Sequence, residues 1–390
     1  MFDFDRPVDR RGTHCAKWDM MEATYGVPAE DGLPMWVADM DFPAPPAVNA
    51  ALMEAARHGV HGYFGDERDY HEAIIGWMAR RHGWEVEPEW ISTTHGLVAA
   101  TALCVQAFSH PGEGVILFTP VYHAFARVIR ANARVVVESR LMAEDGRYRM
   151  DLDALEARLT GRERMVIWCS PHNPGGRVWE REELVALAEF CARNDLLLIS
   201  DEVHHDLVFP PHRHLPMPLA APEIRNRLVM LTSASKSFNI AGGHVGNAII
   251  PDRRLRTRFR AALAAAGSSP NHLGVLMTTA AYSQGDEWID ALVPYLAENA
   301  KVFDEGVNAI PGLQSMPLEA TYLAWVDFEG TGMSSREFTA RVEREARIAA
   351  NHGSTFGAGG ETFLRFNLAT PRARVREAVA RLAAAFADLQ

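Results

Sequence analysis

The sequence has few cysteines, no long apolar run and no apolar N-terminal segment. Its four cysteines are too sparse and too widely spaced for a disulfide framework or a zinc knuckle, so we expect reduced thiols. The uncharged stretch between Arg260 and Asp286 is interrupted by the polar run SSPNH and does not resemble a membrane span. The first residues, MFDFDRPVDRR, alternate acidic and basic residues and have no apolar core, unlike a secretory signal peptide. We therefore expect a cytoplasmic protein.

Basic residues are outnumbered by acidic ones. The chain has 39 Lys and Arg residues against 50 Asp and Glu residues, which gives a formal net charge of −11 at pH 7. Because an acidic surface repels a phosphate backbone and an anionic bilayer, we expect neither nucleic acid nor a membrane as a partner. The hydrophobic share of 48% and the charged share of 23% are typical of a globular protein. At about 150 residues per domain, the length of 390 residues predicts more than one domain, and we expect two.

Short β-branched runs alternate with amphipathic stretches from about Trp90 onwards. The runs are WISTT, GVILFTP, VIRANA, RVVVES, MVIWCSP, LLLISDE and RLVMLTS. Between two of them lies REELVALAEFCAR, in which four apolar residues share one helical face: Leu184, Leu187, Phe190 and Cys191. This alternation predicts an α/β fold with a doubly wound, mostly parallel sheet.

The C-terminal part of the chain has a different pattern. ATYLAWVDF and TFLRFNLA are predicted strands, and a closing helix is predicted to have Thr370 as its N-cap and Pro371 as its first helical residue. We expect a second, smaller α+β domain here.

Lys236 lies in TSASKSFNI, among small residues and hydroxyls, directly after a predicted buried strand. Ligands of doubly wound sheets bind beyond the carboxyl ends of the strands. Burial and nearby cations make an amine available for a Schiff base with an aldehyde cofactor, and Ser233 and Ser235 could donate to a phosphate. The alternative is a lysine side chain that extends from the strand end to solvent.

Other predicted strands are also followed by polar or ring groups. Asp201 follows the apolar run LLLIS, where a carboxylate caps a helix, forms a structural ion pair or meets a buried cation such as a pyridinium. Asn173, in SPHNPGG, would alone be an ordinary turn asparagine. Residues 95–98, HGLV, open a predicted helix whose free amides would hold a phosphate, and Tyr122 follows VILFTP. Together these groups describe the binding of pyridoxal 5′-phosphate (PLP).

Nine motifs occur in order along the chain: RRGTHCAKWD, LPMWVADMDFPAP, GVHGYF, TPVYHAF, SPHNPGGRVW, SDEVHHD, SASKSFNIAG, ATYLAWVDF and FLRFNLATPR. With these motifs the chain resembles the class I/II aminotransferase superfamily of PLP fold type I, and more closely its cystathionine β-lyase type carbon–sulfur lyase branch. The resemblance implies a large domain with a mostly parallel sheet between helices plus a smaller α+β domain. We expect an N-terminal segment (1–45) that contributes to the small domain and to dimer contacts, a large PLP-binding domain (46–285) and a small C-terminal domain (286–390).

The resemblance also implies which residues hold the cofactor. Lys236 forms the Schiff base, Asp201 pairs with the pyridine nitrogen, and Asn173 contacts the ring hydroxyl. Tyr122 stacks on the ring, and His204 also belongs to the cofactor site. The phosphate is held by four residues: Gly96, Leu97, Val98 and Ser233.

Two more roles follow from the resemblance. Arg365 pairs with the α-carboxylate of a small amino-acid substrate, for which a planar guanidinium is suited because it meets both oxygens. Tyr63 reaches the cofactor phosphate of the neighbouring subunit, so the resemblance implies a homodimer whose active sites are shared across the interface.

Three histidines stand at positions that distinguish members of the superfamily. His204 occupies the place of a tyrosine in many of the aminotransferases, as it usually does in the lyase branch. His244 lies near the place of a phosphate-binding arginine, and His61 replaces a ring that usually precedes the Gly-Tyr pair. His204 favours a β-lyase that converts a sulfur-containing L-amino acid to a thiol, pyruvate and ammonia. The alternative is an aminotransferase acting on an L-amino acid and a keto acid.

Three other classes of protein match the sequence less well. A zinc hydrolase would use His204, His205, His212 and His214, but no HExxH and no helical i, i+4 histidine pair occurs, so we expect no metal. A nicotinamide oxidoreductase would need GxGxxG after a strand, which the sequence lacks. A binding or regulatory protein without catalysis would not need the intact set of Lys236, Asp201, Asn173 and Arg365.

Overall fold

A computed structural model describes residues 2–389. Its strands are β1 (Leu33–Pro34), β2 (Ile91–Thr94), β3 (Gly114–Thr119), β4 (Val135–Arg140), β5 (Met142–Glu144), β6 (Arg147–Arg149), β7 (Glu163–Cys169), β8 (Leu197–Asp201), β9 (Leu228–Thr232), β10 (Gly246–Ile249), β11 (Gln314–Ser315), β12 (Leu323–Asp327), β13 (Ile348–Ala349), β14 (Asn351–His352) and β15 (Phe363–Asn367).

Its α-helices are α1 (Ala16–Asp19), α2 (Met21–Tyr25), α3 (Pro46–His58), α4 (Arg68–His82), α5 (Leu97–Phe108), α6 (His123–Ala131), α7 (Leu152–Glu156), α8 (Arg181–Arg193), α9 (Met217–Ala220), α10 (Ala234–Ser237), α11 (Arg253–Ala265), α12 (His272–Gln284), α13 (Asp286–Asn308), α14 (Ser335–Arg344) and α15 (Arg372–Ala385). Short 3₁₀ helices lie at Pro88–Trp90, Pro222–Arg227, Ala241–Gly243, Glu329–Thr331, Gly353–Phe356 and Ala387–Leu389. Among the helices of residues 2–389, none is long and apolar enough to cross a membrane.

A seven-stranded sheet forms the centre of the large domain, with the strand order β2-β10-β9-β8-β7-β3-β4. Only β10 runs antiparallel to its neighbours, and the pairs from β9 to β4 are all parallel. Every residue of β3, β8 and β9 is buried, as expected for strands covered on both faces. The predicted α/β fold with a mostly parallel sheet is confirmed.

Helix α8 has the buried face that its sequence predicts. Glu180 and Glu183 form a capping box at its N-terminus. The four apolar residues that share one face are buried: Leu184, Leu187, Phe190 and Cys191.

Two local predictions were wrong. Residues 128–131 of the VIRANA run lie in α6, because Ala124, Phe125, Val128 and Ile129 are buried at helical spacing that a six-residue window does not reveal. The closing helix begins one residue later than predicted, since Pro371 has an extended ψ of 139° and is the N-cap. The Pro371 side chain makes no capping hydrogen bond, and the backbone N–H of Arg372 donates instead to the Tyr295 hydroxyl at 2.7 Å.

The C-terminal part contains a four-stranded antiparallel sheet with the order β11-β12-β15-β14. Strand β1 pairs in parallel with β13, so the N-terminal segment joins this part of the molecule. The register places Trp325 of β12 beside Arg365 of β15, and Asn351 of β14 on its other side. Arg365 and Asn351 thereby reach the edge of the large sheet.

Candidate active site

A cavity of about 670 Å³ opens at the carboxyl ends of β2, β3, β7, β8 and β9, with β14 and β15 opposite. Nine of the eleven predicted site residues line it: Gly96, Leu97, Val98, Tyr122, Asn173, Asp201, His204, Lys236 and Arg365. Ligands of doubly wound sheets bind at this edge. The polar residues that follow the predicted strands therefore meet at one cavity.

Lys236 lies in the single turn of α10, directly after the buried strand β9. Its Nζ donates a hydrogen bond to the backbone oxygen of Ala38 at 2.7 Å. Burial, together with the nearby Arg365 cation, lowers the pKa of Lys236 to about 8. The amine is thus closer to its neutral, nucleophilic form at physiological pH than an exposed lysine.

Asp201 is the last residue of β8 and is 5% exposed. Its carboxylate accepts a hydrogen bond from the Val203 N–H at 3.1 Å. Burial raises the pKa of Asp201 to about 7, although Val203 and Lys236 act in the opposite direction. A buried cation beside this carboxylate would stabilise its charged form.

Arg365, on β15, is 2% exposed. Its Nη1 donates to the Asn173 side-chain oxygen at 2.9 Å, and its Nη2 donates to the Trp36 backbone oxygen at 3.0 Å and to the Asn351 side chain. Burial lowers the pKa of Arg365 to about 10. These partners are amide and carbonyl oxygens, so they orient the guanidinium without neutralising its charge.

The N-terminus of α5 faces the cavity at residues 95–98. Gly96 is the N-cap with a φ of 81°, a backbone conformation that favours glycine. A Cβ on Gly246 would lie 3.0 Å from the Gly96 carbonyl carbon, so β10 can pack against this turn only with a glycine there. The imidazoles of His95 and His244, which both line the cavity, are parallel with their centroids 5.1 Å apart. Amide groups and two imidazoles therefore meet at one end of the cavity.

His204 and Tyr122 line other parts of the cavity wall. The His204 ring lies edge-on to Tyr322 at 6.2 Å, and burial near Lys236 and Arg365 holds the pKa of His204 well below its usual value. Tyr122 precedes α6, and burial raises the pKa of its phenol.

Two predicted residues do not line the cavity of this chain. The Ser233 hydroxyl donates to the Val245 backbone oxygen at 2.7 Å and accepts from the Ser235 N–H, whereas Ser235 itself lines the cavity. Ser233 comes immediately before α10 and is its N-cap, so its hydroxyl is engaged with backbone groups. Tyr63 is fully exposed.

Several cavity residues were not predicted from the sequence. Ala38 contributes only a backbone oxygen, which accepts from Lys236 and, at 2.9 Å, from the Tyr322 hydroxyl. His123 and Asn351 line the side near Arg365, and burial lowers the pKa of His123 to about 4. A backbone acceptor has no side-chain signal. His123 could have been found from its position directly after Tyr122, which follows a predicted strand.

The segment that carries Ala38 is fixed by one buried and one partly buried ion pair. Lys17 Nζ lies 3.1 Å from Asp41 Oδ2, and Arg10 Nη2 lies 2.7 Å from Asp39 Oδ2. Burial alone would raise the pKa of Asp41, but Lys17 and Arg10 hold it below its usual value. These pairs position one wall of the cavity from the N-terminal part of the chain.

The sheet, the cavity at its carboxyl edge and the buried Lys-Asp-Arg set define an enzyme with PLP fold type I. The chain matches the family model "Aminotransferase class I and II" over residues 31–382, and it belongs to this family. This confirms the resemblance stated from the nine motifs.

Two relatives and one solved structure are similar to almost the whole chain. Cystathionine beta-lyase PatB of Bacillus subtilis is 38% identical over 386 residues, which cover 98% of this chain and 99% of PatB. Protein MalY of Escherichia coli is 34% identical over 387 residues, which cover 98% of each chain. Cystalysin from Treponema denticola, whose crystal structure contains PLP, has a TM-score of 0.95 and 32% identity and covers 100% of both chains.

Proposed function

We propose that this protein is a PLP-dependent carbon–sulfur β-lyase that acts on a sulfur-containing L-amino acid. One observation carries the cofactor and substrate class: Lys236, Asp201 and Arg365 face a single cavity, all buried and all with displaced pKa values. The lyase reaction is supported by the similarity to PatB, which is named as a cystathionine beta-lyase, and by His204.

The cavity residues fit PLP on structural grounds. Asp201 is a buried carboxylate that a pyridinium nitrogen would stabilise. Within residues 2–389, Arg365 Nε and His204 Nδ1 are buried without a hydrogen-bond partner. Buried polar atoms normally have partners, so unpaired ones in a cavity are consistent with a bound polar ligand.

The phosphate end of the cofactor would lie at the N-terminus of α5. The backbone amides of Leu97 and Val98 are unpaired within the first turn of a helix and attract an anion. Ser235 lines the same cavity, and the stacked His95 and His244 supply imidazole N–H donors where the resemblance would lead one to expect an arginine. We assign phosphate binding to this group and not to the Ser233 hydroxyl.

In this account each side chain has one task. Bound PLP supplies an electron sink that stabilises negative charge at the substrate Cα. Arg365 holds the α-carboxylate, and Lys236 Nζ removes the proton from Cα, for which its lowered pKa of about 8 is suited. Asp201 keeps a proton on the pyridine nitrogen. The Cβ–S bond then breaks, the sulfur leaves with the bonding electrons and takes the proton held by Lys236 to become a thiol, and hydrolysis of the remaining fragment by water gives pyruvate and ammonia.

The second candidate is an aminotransferase, which the description of the matching family favours. It would use Lys236, Asp201 and Arg365 in the same way. The difference is that the amino group of the substrate would be transferred to a keto acid and no carbon–sulfur bond would break.

The experiment is incubation of the PLP-loaded protein with L-cystathionine in the absence of a keto acid, with pyruvate and free thiol followed together. The proposal expects equal amounts of both over many turnovers. Turnover only after addition of a keto acid, with a new amino acid as product, would establish the aminotransferase instead.

We further propose a homodimer with shared active sites and a cytoplasmic location. The dimer is supported by the segment that carries Tyr63, where Val60 is 69% exposed and Tyr63 is fully exposed. Exposed large apolar side chains close together are typical of interaction surfaces. The location is supported by four cysteines that form no disulfide with one another.

A further inference from the structure

A second cluster of ionisable side chains is buried outside the active-site cavity. It joins the last residue of α4, His82, to His205 and Asp206 in the loop after β8. His82 Nε2 lies 2.8 Å from Asp206 Oδ1, and His205 Nε2 lies 3.3 Å from Asp206 Oδ2. The ligand atoms of the three residues all lie within 4.8 Å of one another.

His205 is buried without hydrogen bonds. Its side chain has 0% exposure, and neither ring nitrogen has a hydrogen-bond partner among residues 2–389. The ring packs 4.2 Å from that of His82 and directs Nε2 towards Asp206. Apart from the 3.3 Å contact of Nε2 with Asp206, the imidazole has no polar partner in this part of the chain, and burial without well-formed hydrogen bonds is costly because the bonds to water are lost. Coordination of a cation by one nitrogen would offset this cost.

Asp206 is held in place by residues that are not part of the trio. Trp77 Nε1 donates to its carboxylate at 3.0 Å, and the Ser237 hydroxyl also donates to it. Hydrogen bonds of this kind orient a carboxylate ligand of a metal ion. The Asp206 side chain is 1% exposed, so its negative charge is buried beside two imidazoles.

The cluster is accessible from a separate pocket of about 690 Å³, which His82, His205 and Asp206 all line. Two of the three arginines in its wall are paired elsewhere, Arg80 with Asp286 at 2.9 Å and Arg81 with Asp290 at 2.8 Å, and the third is Arg213. The pocket therefore offers an entry path and room for a water ligand.

We propose that His82, His205 and Asp206 bind one divalent transition-metal ion of the Zn²⁺ class, with water completing the coordination. Two imidazole nitrogens and one carboxylate oxygen suit Zn²⁺ and its neighbours, whereas Mg²⁺ and Ca²⁺ require oxygen ligands. Ligand atoms around a tetrahedral Zn²⁺ with bonds of about 2.0–2.1 Å lie about 3.3 Å apart. His82 Nε2 and His205 Nε2 lie 2.8 Å and 3.3 Å from the two different oxygens of Asp206. The site is distinct from the PLP cavity, which none of the three residues lines.

Histidines that are close together in the sequence have different environments in the structure. His204 and His205 are adjacent, but His204 faces the PLP cavity and His205 faces His82. His214 is paired with Glu202 at 2.6 Å. Because His82 is distant in the sequence, the spacing of the other histidines does not reveal the trio.

The test uses the PLP-loaded protein, freed of metal, with Zn²⁺ binding measured by equilibrium dialysis and Co²⁺ binding by its visible absorption. The variants are His82→Asn and His205→Asn. His212→Asn is the matched control, since His212 lines the same pocket but is not a proposed ligand.

We expect one ion per chain in the unchanged protein and in His212→Asn, with the Co²⁺ spectrum of nitrogen and oxygen ligation. Each ligand variant should bind at least about 10-fold more weakly, because even residues that support metal ligands contribute 10- to 100-fold. Zn²⁺ should raise the melting temperature of the unchanged protein, and this rise should be absent in the ligand variants. Absence of binding in the unchanged protein, or unchanged affinity in either correctly folded ligand variant, overturns the proposal. Circular dichroism identifies a variant that has not folded, and the other variant then decides.

Discussion

At the scale of single residues, three of the ionisable groups in the cavity have separate tasks. Lys236 is available as a base because burial and the Arg365 cation lower its pKa. Asp201 is a buried carboxylate that a cationic partner would stabilise. Arg365 keeps its positive charge, because its hydrogen-bond partner Asn173 is an uncharged amide. Burial displaces the pKa values of all three groups. Because displaced pKa values concentrate at functional sites, this arrangement is consistent with catalysis.

Lys236 can be tested without an activity assay because the chain has only three lysines, Lys17, Lys236 and Lys301. Borohydride reduction of the PLP-loaded protein should attach the cofactor to Lys236 alone, as read by peptide mass spectrometry. The other two lysines should not be labelled, because Lys17 is paired with Asp41 and Lys301 is exposed at the surface. Lys236→Ala should abolish the label and lower kcat by about 10²–10⁴-fold, the usual contribution of a general base. Lys301→Ala should change neither, and labelling of Lys301 in the unchanged protein would contradict the assignment.

Arg365→Lys keeps a positive charge but removes the planar fork. We expect KM for amino-acid substrates to rise about 10- to 100-fold, because a charge-assisted hydrogen bond contributes about 1.5–3 kcal/mol. Discrimination between an amino acid and the corresponding amine without a carboxylate should fall by the same factor. Arg341→Lys, which alters a surface pair with Asp388, is the control. An unchanged KM would rule out carboxylate binding by Arg365.

At the scale of elements, the N-terminus of α5 and the histidine pair beside it define the phosphate end of the cavity. His244→Ala should weaken PLP binding by about 10-fold, since it removes a donor to a dianion, and should leave the binding of pyridoxal, which lacks the phosphate, unchanged. Both affinities can be measured by fluorescence quenching of the apoprotein. An equal loss for PLP and pyridoxal would show that His244 does not act on the phosphate. His212→Ala is the control.

The segment that carries Ala38 depends on the buried pair of Lys17 and Asp41. Asp41→Asn leaves the buried Lys17 charge with only the more distant Asp39 carboxylate at 3.8 Å, which costs up to about 3–5 kcal/mol and should lower the melting temperature. Because the pKa of Asp41 is lowered in the folded state, its stabilisation is present above the unfolded value of about 3.9 and is lost as the pH falls below it. The variant should therefore lose most stability near neutral pH and least in acid. Asp9→Asn, at an exposed pair with Arg11, should have no measurable effect. An Asp41→Asn protein as stable as the unchanged one would contradict this account.

At these two scales the sequence predicts some features and not others, for identifiable reasons. Asp201 and Lys236 were predictable because each follows an all-apolar strand, where a charged side chain needs a specific partner. Ala38 was not, since it contributes a backbone oxygen, and Asn351 was not, since only the register of β14 with β15 brings it to Arg365. The residues alone predict Ser233 and Ser235 equally as phosphate donors, and the resemblance implies Ser233, because the sequence does not show which hydroxyl serves as the N-cap of α10.

At the scale of the whole molecule, the cavity lies between the seven-stranded sheet and the four-stranded sheet, and the N-terminal segment joins the latter through β1 and β13. Tyr63 lies outside this unit and is fully exposed, so its predicted role requires a second copy of the chain.

A mixture of two inactive variants tests that role. If Tyr63 serves the partner's site, Lys236→Ala and Tyr63→Ala chains that are dissociated and reassembled together should form hybrid dimers with one intact site. A random 1:1 mixture would regain about one quarter of the activity of the unchanged protein. No activity should be regained when either variant is dissociated and reassembled alone. No gain in the mixture, with subunit exchange verified by mass spectrometry, would show that both residues serve the same chain's site.

The central claim is that the cavity breaks a carbon–sulfur bond instead of exchanging an amino group. The most direct measurement is the amount of pyruvate formed per active site when the PLP-loaded protein meets excess L-cystathionine alone, together with the fraction of cofactor converted to its amine form. The account predicts many equivalents of pyruvate with the cofactor remaining in its aldehyde oxidation state. At most one equivalent of keto acid per site, with the cofactor converted to the amine, would contradict it.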